Sequence, residues 1–375
     1  MENVPKDGAR TVSFEPTVHG LRGFAALGIF LFHVYDMMRK QNIFDPMAVP
    51  YVLKAAIISL SCGVDLFFMI SGYLITGSLI RHDNIRKFFI DRVARIYPVF
   101  LVLHVALFLV APVFHYKWTV GLTPAQWVFH FTTNLLMLPG VFKLPLMQLN
   151  AWTLSYEWLF YIVSAAAYAA YAKKLNWLKS ALVLAVPVLL LVYPRAVFFI
   201  AGAAVFAANR RDFALPKWVT NPAVVIALPF LFAGMMGYSN DNEAPWMTYL
   251  AFVPGILLFA LVTRASPIYA AVLRSRPIQF MGTISYSFYL LHPVVTTPLK
   301  ILAAKILRDK FDLPPILIVA IFGTVAFVIT VAVSYVSYRV LEKWGTRWVK
   351  AVLRGERLSP VLPIRARLAK LIGSK

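Results

Sequence analysis

Residues 314–341 read PPILIVAIFGTVAFVITVAVSYVSYRVL and contain a single charged side chain, that of Arg339. A helix needs about 20 mostly apolar residues to cross a bilayer, so this stretch is long enough to span one. The same character runs through the chain, in which 60% of the 375 residues are hydrophobic and 14% are charged. An ordinary soluble domain has about a quarter charged residues. We therefore expect an all-α, polytopic helical membrane protein, and the composition excludes a disordered chain or a large soluble domain.

The chain is strongly basic. Its 37 Lys and Arg residues outnumber its 16 Asp and Glu residues, which gives a formal net charge of +21. Such an excess can attract nucleic acid. In a membrane protein it more often reflects basic cytoplasmic loops, which set the topology and contact anionic lipid. We therefore expect membrane lipid, and no nucleic acid, as a partner. The single cysteine, Cys62, excludes an intramolecular disulfide and a multi-cysteine metal site.

Eleven apolar stretches are candidate spans, and the charges between them decide how many cross. The segment 125–139 is short and carries Gln126, His130 and Asn134. If it does not cross, the basic loops 81–95 and 264–276 fall on one side, as the positive-inside rule requires. We therefore expect about ten transmembrane helices, with both termini in the cytoplasm and a partial outer segment at 125–139 that borders a cavity. The eleven stretches are 20–38, 53–80, 96–116, 125–139, 151–172, 177–193, 195–209, 219–237, 247–263, 282–305 and 314–341.

The spans are expected to form one membrane domain, residues 1–341, followed by a cytoplasmic tail at 342–375. This tail holds nine Lys or Arg residues and two Glu residues. Its apolar side chains recur at helical spacing, among them Trp344, Trp348 and Val352. The pattern indicates a basic amphipathic helix that lies on the inner leaflet. Lipid anchoring is the simpler interpretation, and a regulatory or partner-binding role is the alternative.

Two ionisable residues share one face of the first span. Arg22 and His33 are eleven residues apart, which is about three helical turns and a rise of about 16 Å. Ionisable groups in a bilayer are costly and mark functional sites by default. This face therefore offers an anion-binding group near the cytoplasmic end and a titratable imidazole in the outer half. A snorkelling arginine and an interfacial histidine are the alternatives.

Asp65, Glu157 and His292 also fall at predicted membrane depth. A carboxylate beside a histidine holds its tautomer and stabilises the imidazolium, so Asp65 or Glu157 is expected to orient His33. For Asp65, a salt bridge that only fixes packing is equally well supported. Pro293 frees a backbone carbonyl one turn earlier, and satisfying that carbonyl is the alternative role of His292.

The predicted cytoplasmic loop 81–95 holds five basic residues in fifteen positions. Positive-inside topology explains some of them. It explains less well why Arg92 and Arg95 lie one turn apart, directly before Tyr97-Pro98 and the next span. Guanidinium groups in such a pair suit the phosphates of a nucleotide or of coenzyme A.

These residues, in this order, resemble the integral-membrane acyltransferase family 3. The resemblance covers residues 19–342, nearly the whole chain, and one departure from the family pattern is Thr153, where Ser is expected. The motifs are Arg22 with His33, Gly63-Val-Asp65-Leu-Phe-Phe with Ile70-Ser71-Gly72-Tyr73-Leu74, Arg92-x-x-Arg95-Ile-x-Pro98, Asn134, Trp152-Thr-Leu-Ser155-x-Glu157-x-x-Phe160-Tyr161, Gly282-x-x-Ser285-Tyr286-x-x-Tyr289-x-x-His292-Pro293, and Ser337-Tyr338-Arg-Val-Leu-Glu342.

Members of this family transfer acetyl or other short acyl groups to sugars of surface polysaccharides, lipopolysaccharide, peptidoglycan and related glycans. The resemblance implies a membrane O-acyltransferase of the bacterial inner membrane. It implies acetyl-coenzyme A or another acyl-coenzyme A as the cytoplasmic donor and a glycan or glycolipid as the acceptor, with no metal. It also implies that His33 is the essential base and that Arg22 is essential.

The remaining candidate residues are assigned by their predicted depth. His33 either deprotonates the acceptor hydroxyl or is itself acylated first, with Glu157 and Asp65 as its catalytic partners. The stretch Ser71-Gly72 is also typical of close helix packing. The donor-binding set is Arg22, Arg92, Arg95, Tyr73 and Ser71, and the acceptor-binding set is Trp152, Ser155, Tyr286, His292 and Asn134. Acceptor choice is expected to lie in the outer elements 37–51, 117–150 and 238–245.

A transporter or flippase for an acylated or lipid-linked glycan is the alternative function. Its buried histidines and carboxylates would form a proton relay. The sequence shows no inverted repeat with paired broken helices, which speaks against a transporter, and a transporter does not need the basic pair Arg92 and Arg95. Thermal stabilisation by coenzyme A would separate the two functions, because a ligand that binds the folded state raises its apparent stability.

Overall fold

The computed structural model describes residues 15–45, 49–113, 119–311 and 313–356. Every regular element in these ranges is helical, which confirms the predicted all-α class. Parts of the predicted outer elements and of the basic tail, residues 46–48, 117–118 and 357–375, lie outside the described residues.

The α-helices follow one another with short connections. They are α1 Pro16–Lys40, α2 Tyr51–Ser59, α3 Gly63–His82, α4 Ile85–Val110, α5 Pro124–Leu135, α6 Trp152–Ala172, α7 Asn176–Val192, α8 Val197–Arg210, α9 Pro222–Asp241, α10 Pro245–Leu250, α11 Phe252–Thr263, α12 Pro267–Leu273, α13 Arg276–Leu302, α14 Pro315–Ser337 and α15 Thr346–Arg354. Short 3-10 turns lie at Leu60–Cys62, Leu149–Ala151 and Pro194–Ala196, and π-helical turns lie at Ala303–Arg308 and Tyr338–Gly345.

Seven helical segments among the described residues are long and apolar enough to cross a membrane, so the chain is a multi-pass membrane protein. They are α1, α4, α9, α2 with α3, α10 with α11, α13 with the π turn after it, and α14 with α15. The predicted spans 151–172, 177–193 and 195–209 correspond to α6, α7 and α8, which are not among the seven. Helices α7 and α8 have only 17 and 14 residues. The count of ten crossings is therefore not confirmed and stays a prediction.

The predicted partial segment 125–139 contains the short helix α5. Thr123 and Gln126 cap its start, because each side chain accepts a hydrogen bond from the other residue's backbone N–H. Helix α5 packs on α4 through aromatic contacts, in which the ring of Phe131 lies 4.5 Å from that of His104. The two cavities described below contain no residue of α5 in their walls. The expectation that this segment borders a cavity is therefore not confirmed.

Helices α1 and α13 run side by side in the same direction. Near their beginnings, a Cβ atom on Gly23 would lie 2.4 Å from the backbone oxygen of Ile278. Two turns further along, the rings of Phe30 and Phe288 lie 5.5 Å apart. Small residues let helices in a membrane approach closely. Here they bring together two faces that are about 260 residues apart in the sequence, in parallel register.

Helices α3 and α8 also cross with their backbones in contact. A Cβ atom on Gly72 would lie 2.0 Å from the backbone oxygen of Phe199, and one on Gly202 would lie 1.9 Å from that of Met69. The rings of Phe68 and Phe199 stack beside this crossing, 4.4 Å apart. The close helix contact predicted from the small residues of this stretch is therefore confirmed.

The described part of the predicted tail continues the last long helix. The π turn Tyr338–Gly345 leads from α14 into α15, and α15 packs on α4 through ion pairs. Lys350 and Arg354 lie 2.9 and 3.1 Å from the same carboxylate oxygen of Asp91, and His82 lies 2.9 Å from the other. The pairs of Lys350 and Arg354 with Asp91 tie the start of the tail to α4.

Replacing Gly202 by alanine is expected to destabilise the protein by about 1–3 kcal/mol or more, the usual cost of overpacking. The new methyl group would meet backbone atoms of α3 that cannot rotate away, so the two helices must separate. Thermal unfolding of the purified protein in detergent measures the effect. Gly234→Ala in α9 is the matched control, because nothing lies within 4 Å of its Cβ position and alanine favours helix. Equal unfolding midpoints for the two variants would contradict this packing.

Candidate active site

His33 and His292 meet where α1 and α13 run side by side. The Nδ1 atom of His33 lies 2.7 Å from the Nε2 atom of His292, and the two rings stack with their centroids 5.0 Å apart. His292 is fully buried, whereas His33 is half-buried and lines a cavity. The two histidines that the sequence placed at membrane depth therefore form one hydrogen-bonded pair.

The hydrogen-bond partners fix which nitrogen of each ring carries a proton. The Nδ1 atom of His292 lies 3.0 Å from the backbone carbonyl of Phe288. A carbonyl only accepts, so this Nδ1 donates, and Nε2 of the neutral His292 ring carries a lone pair. His33 must then donate its Nδ1 proton to that lone pair. The Nε2 atom of His33 is left unprotonated and without a hydrogen-bond partner in the described part of the chain.

Asn150 supplies the hydrogen bond that the proline after His292 makes necessary. Pro293 has no N–H, so the carbonyl of Tyr289 one turn earlier has no helical donor. The Asn150 side-chain amide donates to that carbonyl at 2.8 Å, and the same nitrogen lies 3.4 Å from Nε2 of His292. The alternative role considered for His292 was to satisfy the carbonyl that Pro293 frees, and Asn150 takes that role.

Asp65 is fully buried but does not contact His33. Its carboxylate accepts a hydrogen bond from the Arg195 guanidinium at 3.2 Å. Its other oxygen, Oδ1, has no hydrogen-bond partner among the described residues. The contacts match the alternative considered for Asp65, a salt bridge, here between α3 and the 3-10 turn before α8.

Glu157 likewise contacts other residues than His33. Its carboxylate accepts hydrogen bonds from the hydroxyl of Ser71, at 3.0 Å, and from that of Tyr161. The expectation that Asp65 or Glu157 orients His33 is therefore wrong, because neither carboxylate contacts it. The group that contacts His33 is the imidazole of His292. Sequence depth alone had not distinguished these neighbours.

A cavity of about 80 Å³, here called the inner cavity, is lined by the basic residues that were predicted to bind the donor. Its wall includes the three guanidinium groups of Arg22, Arg92 and Arg95 together with Ser71 and Glu157. The Arg92 Nε atom is buried and has no hydrogen-bond partner within the described ranges. A buried donor without a partner, in a wall with a surplus of positive charge, fits an anionic ligand.

A second and larger cavity of about 990 Å³, here called the outer cavity, opens at the other end of α1. His33 and Asn150 line it, and so does Trp152, one of the predicted acceptor-binding residues. Val64 and Tyr289 belong to the walls of both cavities. The histidine pair therefore lies beside the place where the two cavities adjoin.

Four predicted site residues have structural contacts. Tyr73 packs against the ring of Phe206, 5.4 Å away, and lines neither cavity. Ser155 accepts a hydrogen bond from the Gly140 backbone at 3.1 Å. Asn134 donates to Pro145 at 3.0 Å and accepts from Met147 at 2.9 Å, which shapes the loop before α6. Tyr286 lines the inner cavity, and its hydroxyl donates to the Ile96 carbonyl at 2.7 Å, which ties α13 to α4.

Three residues at the site were not assigned a site role from the sequence. Asn150 lies just before α6 and belongs to none of the motifs. The one sequence signal was Pro293, which frees a carbonyl that needs a donor nearby. Arg195 lies in the short turn Pro194–Ala196 between two apolar helices, and no role was assigned to it from the sequence. Tyr289 stood in a motif without a role, and its hydroxyl shares a hydrogen bond with Thr153 at 3.1 Å.

Within the residues that the structure describes, no group of three or more His, Cys, Asp or Glu side chains is arranged to hold a metal ion.

Comparison with known proteins decides the family. The acyltransferase 3 family, described as an acyltransferase domain, matches residues 16–339. The chain belongs to this family. No match to a solved structure was found.

Three curated relatives are similar to parts of this family member. The peptidoglycan O-acetyltransferase OatA of Listeria monocytogenes is 25% identical over 333 residues, which cover 76% of the chain and 50% of the relative. The acyltransferase MdmB of Streptomyces mycarofaciens is 30% identical over 152 residues, 39% of the chain and 37% of the relative. Nodulation protein 10 of Rhizobium leguminosarum is 28% identical over 155 residues, 38% of the chain and 41% of the relative. The chain spans half or less of the length of these relatives.

Removing the cation at Arg195 is expected to destabilise this acyltransferase family member by about 3–5 kcal/mol, because Asp65 would remain buried without a counter-charge. Arg195→Met is the variant, and thermal unfolding in detergent is the measurement. Lys54→Met is the matched control: the Lys54–Asp241 pair is 3.4 Å long and its side chains are 33% and 43% exposed, so its loss should cost about 1 kcal/mol or less.

The double variant Asp65→Leu with Arg195→Met completes the test. A buried ion pair replaced by apolar side chains is often neutral for stability, so the double variant should regain most of the midpoint lost in Arg195→Met. A double variant no more stable than Arg195→Met would show that the ion pair is not the cause.

Proposed function

We propose that this chain transfers an acetyl or other short acyl group from acyl-coenzyme A to a hydroxyl of a surface or exported glycan, with His33 as the general base. The hydrogen-bond chain from the Phe288 carbonyl through His292 to His33 carries the proposal. It leaves the Nε2 lone pair of His33 available beside the outer cavity. Acyl transfer to an alcohol needs such a base, positioned to take the hydroxyl proton.

The reaction follows from this placement. As the acceptor oxygen attacks the thioester carbonyl, Nε2 of His33 takes the hydroxyl proton. The carbon–sulfur bond then breaks, and the coenzyme A thiolate leaves with that proton. The same lone pair could instead attack the thioester first, which breaks the carbon–sulfur bond, releases the coenzyme A thiolate and places the acyl group on Nε2 of His33. The acceptor oxygen then attacks that acyl group, the carbon–nitrogen bond breaks, and the hydroxyl proton passes to the freed Nε2 and from there to the thiolate. Both routes require the tautomer that His292 enforces.

His292 acts in this account as a positioning residue. Its Nε2 lone pair holds the Nδ1–H of His33 at 2.7 Å, and this bond strengthens when His33 gains a second proton. Two neutral imidazoles suit this position, because a permanent charge at membrane depth is costly. The role that a carboxylate takes in many catalytic histidine pairs would here belong to an imidazole.

Arg22, Arg92 and Arg95 are assigned to the anionic part of the donor. Coenzyme A carries several phosphate groups, which guanidinium groups bind well. The inner cavity holds only about 80 Å³, so it admits a narrow part of such a ligand and not the whole of it. We place the thioester end toward Tyr289, which lines both cavities, and the glycan in the outer cavity beside Trp152.

The similarity to OatA, a peptidoglycan O-acetyltransferase, supports a glycan as the acceptor class. We further propose the bacterial inner membrane as the location, ten crossings and cytoplasmic termini. Helices α6, α7 and α8 would supply the three crossings beyond the seven long segments. Helix α7 has no buried residue, as expected of a helix that faces lipid. The division into a membrane domain, 1–341, and a tail, 342–375, remains a prediction.

Thiol release from acetyl-coenzyme A tests the proposal. The purified wild-type protein should release free thiol slowly in detergent, because water can replace the missing acceptor. His33→Ala should lower the rate by at least about 10²-fold, the usual contribution of a general base, with a wild-type yield of folded protein. Thiol release that persists in His33→Ala would contradict the role of His33. A wild-type protein that neither releases thiol nor is stabilised by coenzyme A would favour the transporter instead.

His292→Phe is expected to lower the maximal rate of thiol release about 10–100-fold, as loss of an orienting partner often does, and to leave the KM for acetyl-coenzyme A unchanged. Phenylalanine keeps the ring packing but cannot accept the His33 proton. His104→Phe is the matched control, since His104 is also buried among aromatic rings but lines neither cavity. A rise in KM without a fall in maximal rate would contradict the positioning role.

A further inference from the structure

The outer cavity carries more positive than negative charge. Among the described residues, five cationic side chains line it and two carboxylates do. Asp65 neutralises one of the cations from behind the wall, through its ion pair with Arg195. The cations are Arg39, Lys40, Lys54, Arg195 and Lys300, and the carboxylates are Asp36 and Asp241.

The ion pairs within the wall of the outer cavity do not remove its excess of positive charge. Asp36 is shared by two cations, with Arg39 at 2.7 Å and Lys40 at 2.6 Å. Asp241 has one partner, Lys54, at 3.4 Å. Lys300 is half-buried and makes no ion pair with any described residue. Two positive charges therefore remain unmatched in the wall: that of Lys300 and one of the two that share Asp36.

Because α1 and α13 run in parallel, Lys40 and Lys300 lie at a similar distance beyond the two histidines. Lys40 follows His33 by seven residues, and Lys300 follows His292 by eight. At 1.5 Å per residue, both lie about 10–12 Å further along parallel helices. The outer cavity is therefore bounded by His33 at one depth and by two lysines from different helices at another.

Simpler effects explain part of this arrangement. A cation in the last turn of a helix is favoured by the helix dipole, and both lysines occupy last turns. The dipole does not require both side chains to line the same cavity. Under the predicted topology this end also faces away from the cytoplasm, where basic residues are not enriched. An anionic ligand accounts for both features.

We infer that the acceptor is an anionic glycan, whose carboxylate or phosphate group binds Lys40 and Lys300 while a neutral hydroxyl reaches His33. This inference rests on the proposed function, because it takes the outer cavity as the acceptor site. A uronic acid within the glycan and a phosphate at its end are two sources of the same charge. The separation of lysines and histidines places that charge about 10–12 Å along the helix axes from the hydroxyl that is acylated.

Binding to matched glycans tests the inference. The full chain, in detergent and with acetyl-coenzyme A present, is titrated with three oligosaccharide families on one array. The first is neutral, the second carries uronate carboxylates, and the third carries a terminal phosphate. At least one anionic family should bind about tenfold more tightly than the neutral one, the effect of one charge-assisted hydrogen bond. The family that binds more tightly identifies the source of the charge.

The variants separate a specific site from general attraction. Lys40→Gln combined with Lys300→Gln should reduce the preference for anionic glycans to about twofold or less. Lys217→Gln, which removes an exposed lysine that lines neither cavity, should leave the preference unchanged. Equal binding of neutral and anionic families, including no binding of either, would overturn the inference. So would a preference that survives in the double variant or is lost equally in Lys217→Gln.

The same preparation distinguishes this failure from failure of the proposed function. Thiol release from acetyl-coenzyme A is measured without glycan in the wild type. Release that depends on His33, together with a neutral preference on the array, would reject the anionic acceptor alone. Absence of release together with no thermal stabilisation by coenzyme A, with or without glycan binding, would reject the acyl-transfer function on which the inference rests.

Discussion

His33 and His292 form one hydrogen bond because two helices from opposite ends of the chain lie in backbone contact. Glycine in α1 allows that contact, as the 2.4 Å distance from a Cβ on Gly23 to the Ile278 oxygen shows. Without it, each histidine would be an isolated polar group at membrane depth, which is costly. Their pairing satisfies His292 and leaves one unprotonated nitrogen on His33. His33 lines the outer cavity, and the proposed chemistry takes place at that nitrogen.

Other polar groups of the bundle interior also pair with near neighbours. Pro293 leaves the Tyr289 carbonyl without a helical donor, and the Asn150 amide donates to it. Asp65 is fully buried, and Arg195 matches its charge. Backbone and side-chain polar groups in a bilayer must find partners inside the protein, and these pairs meet that need. Arg92 Nε is one of several buried polar atoms without a partner among the described residues, and Arg92 lines the inner cavity, whereas His33 lines the outer one.

Much of the fold and part of the site could be predicted from the sequence. Apolar runs gave the helical class, and the spacing of Arg22 and His33 gave their relative depth. The donor residues Arg22, Arg92, Arg95 and Ser71 do share one cavity wall. Depth along a helix does not say which helices are neighbours, however. The partner of His33 was therefore predicted as a carboxylate, whereas it is an imidazole. Tyr73, Ser155 and Asn134 contact helices and loops, and their assignment to ligands stays a prediction. The number of crossings depended on short helices that composition alone does not decide.

The tautomer of His33 is the most direct test of this account. Nitrogen NMR of the protein labelled with ¹⁵N-histidine distinguishes a protonated from an unprotonated ring nitrogen, and spectra of His33→Ala and His292→Ala assign the signals. The account predicts that neutral His33 carries its proton on Nδ1, with Nε2 unprotonated, and that His292 carries its proton on Nδ1 as well. A His33 ring protonated on Nε2 would contradict it, because the base would then have no lone pair to offer the acceptor hydroxyl.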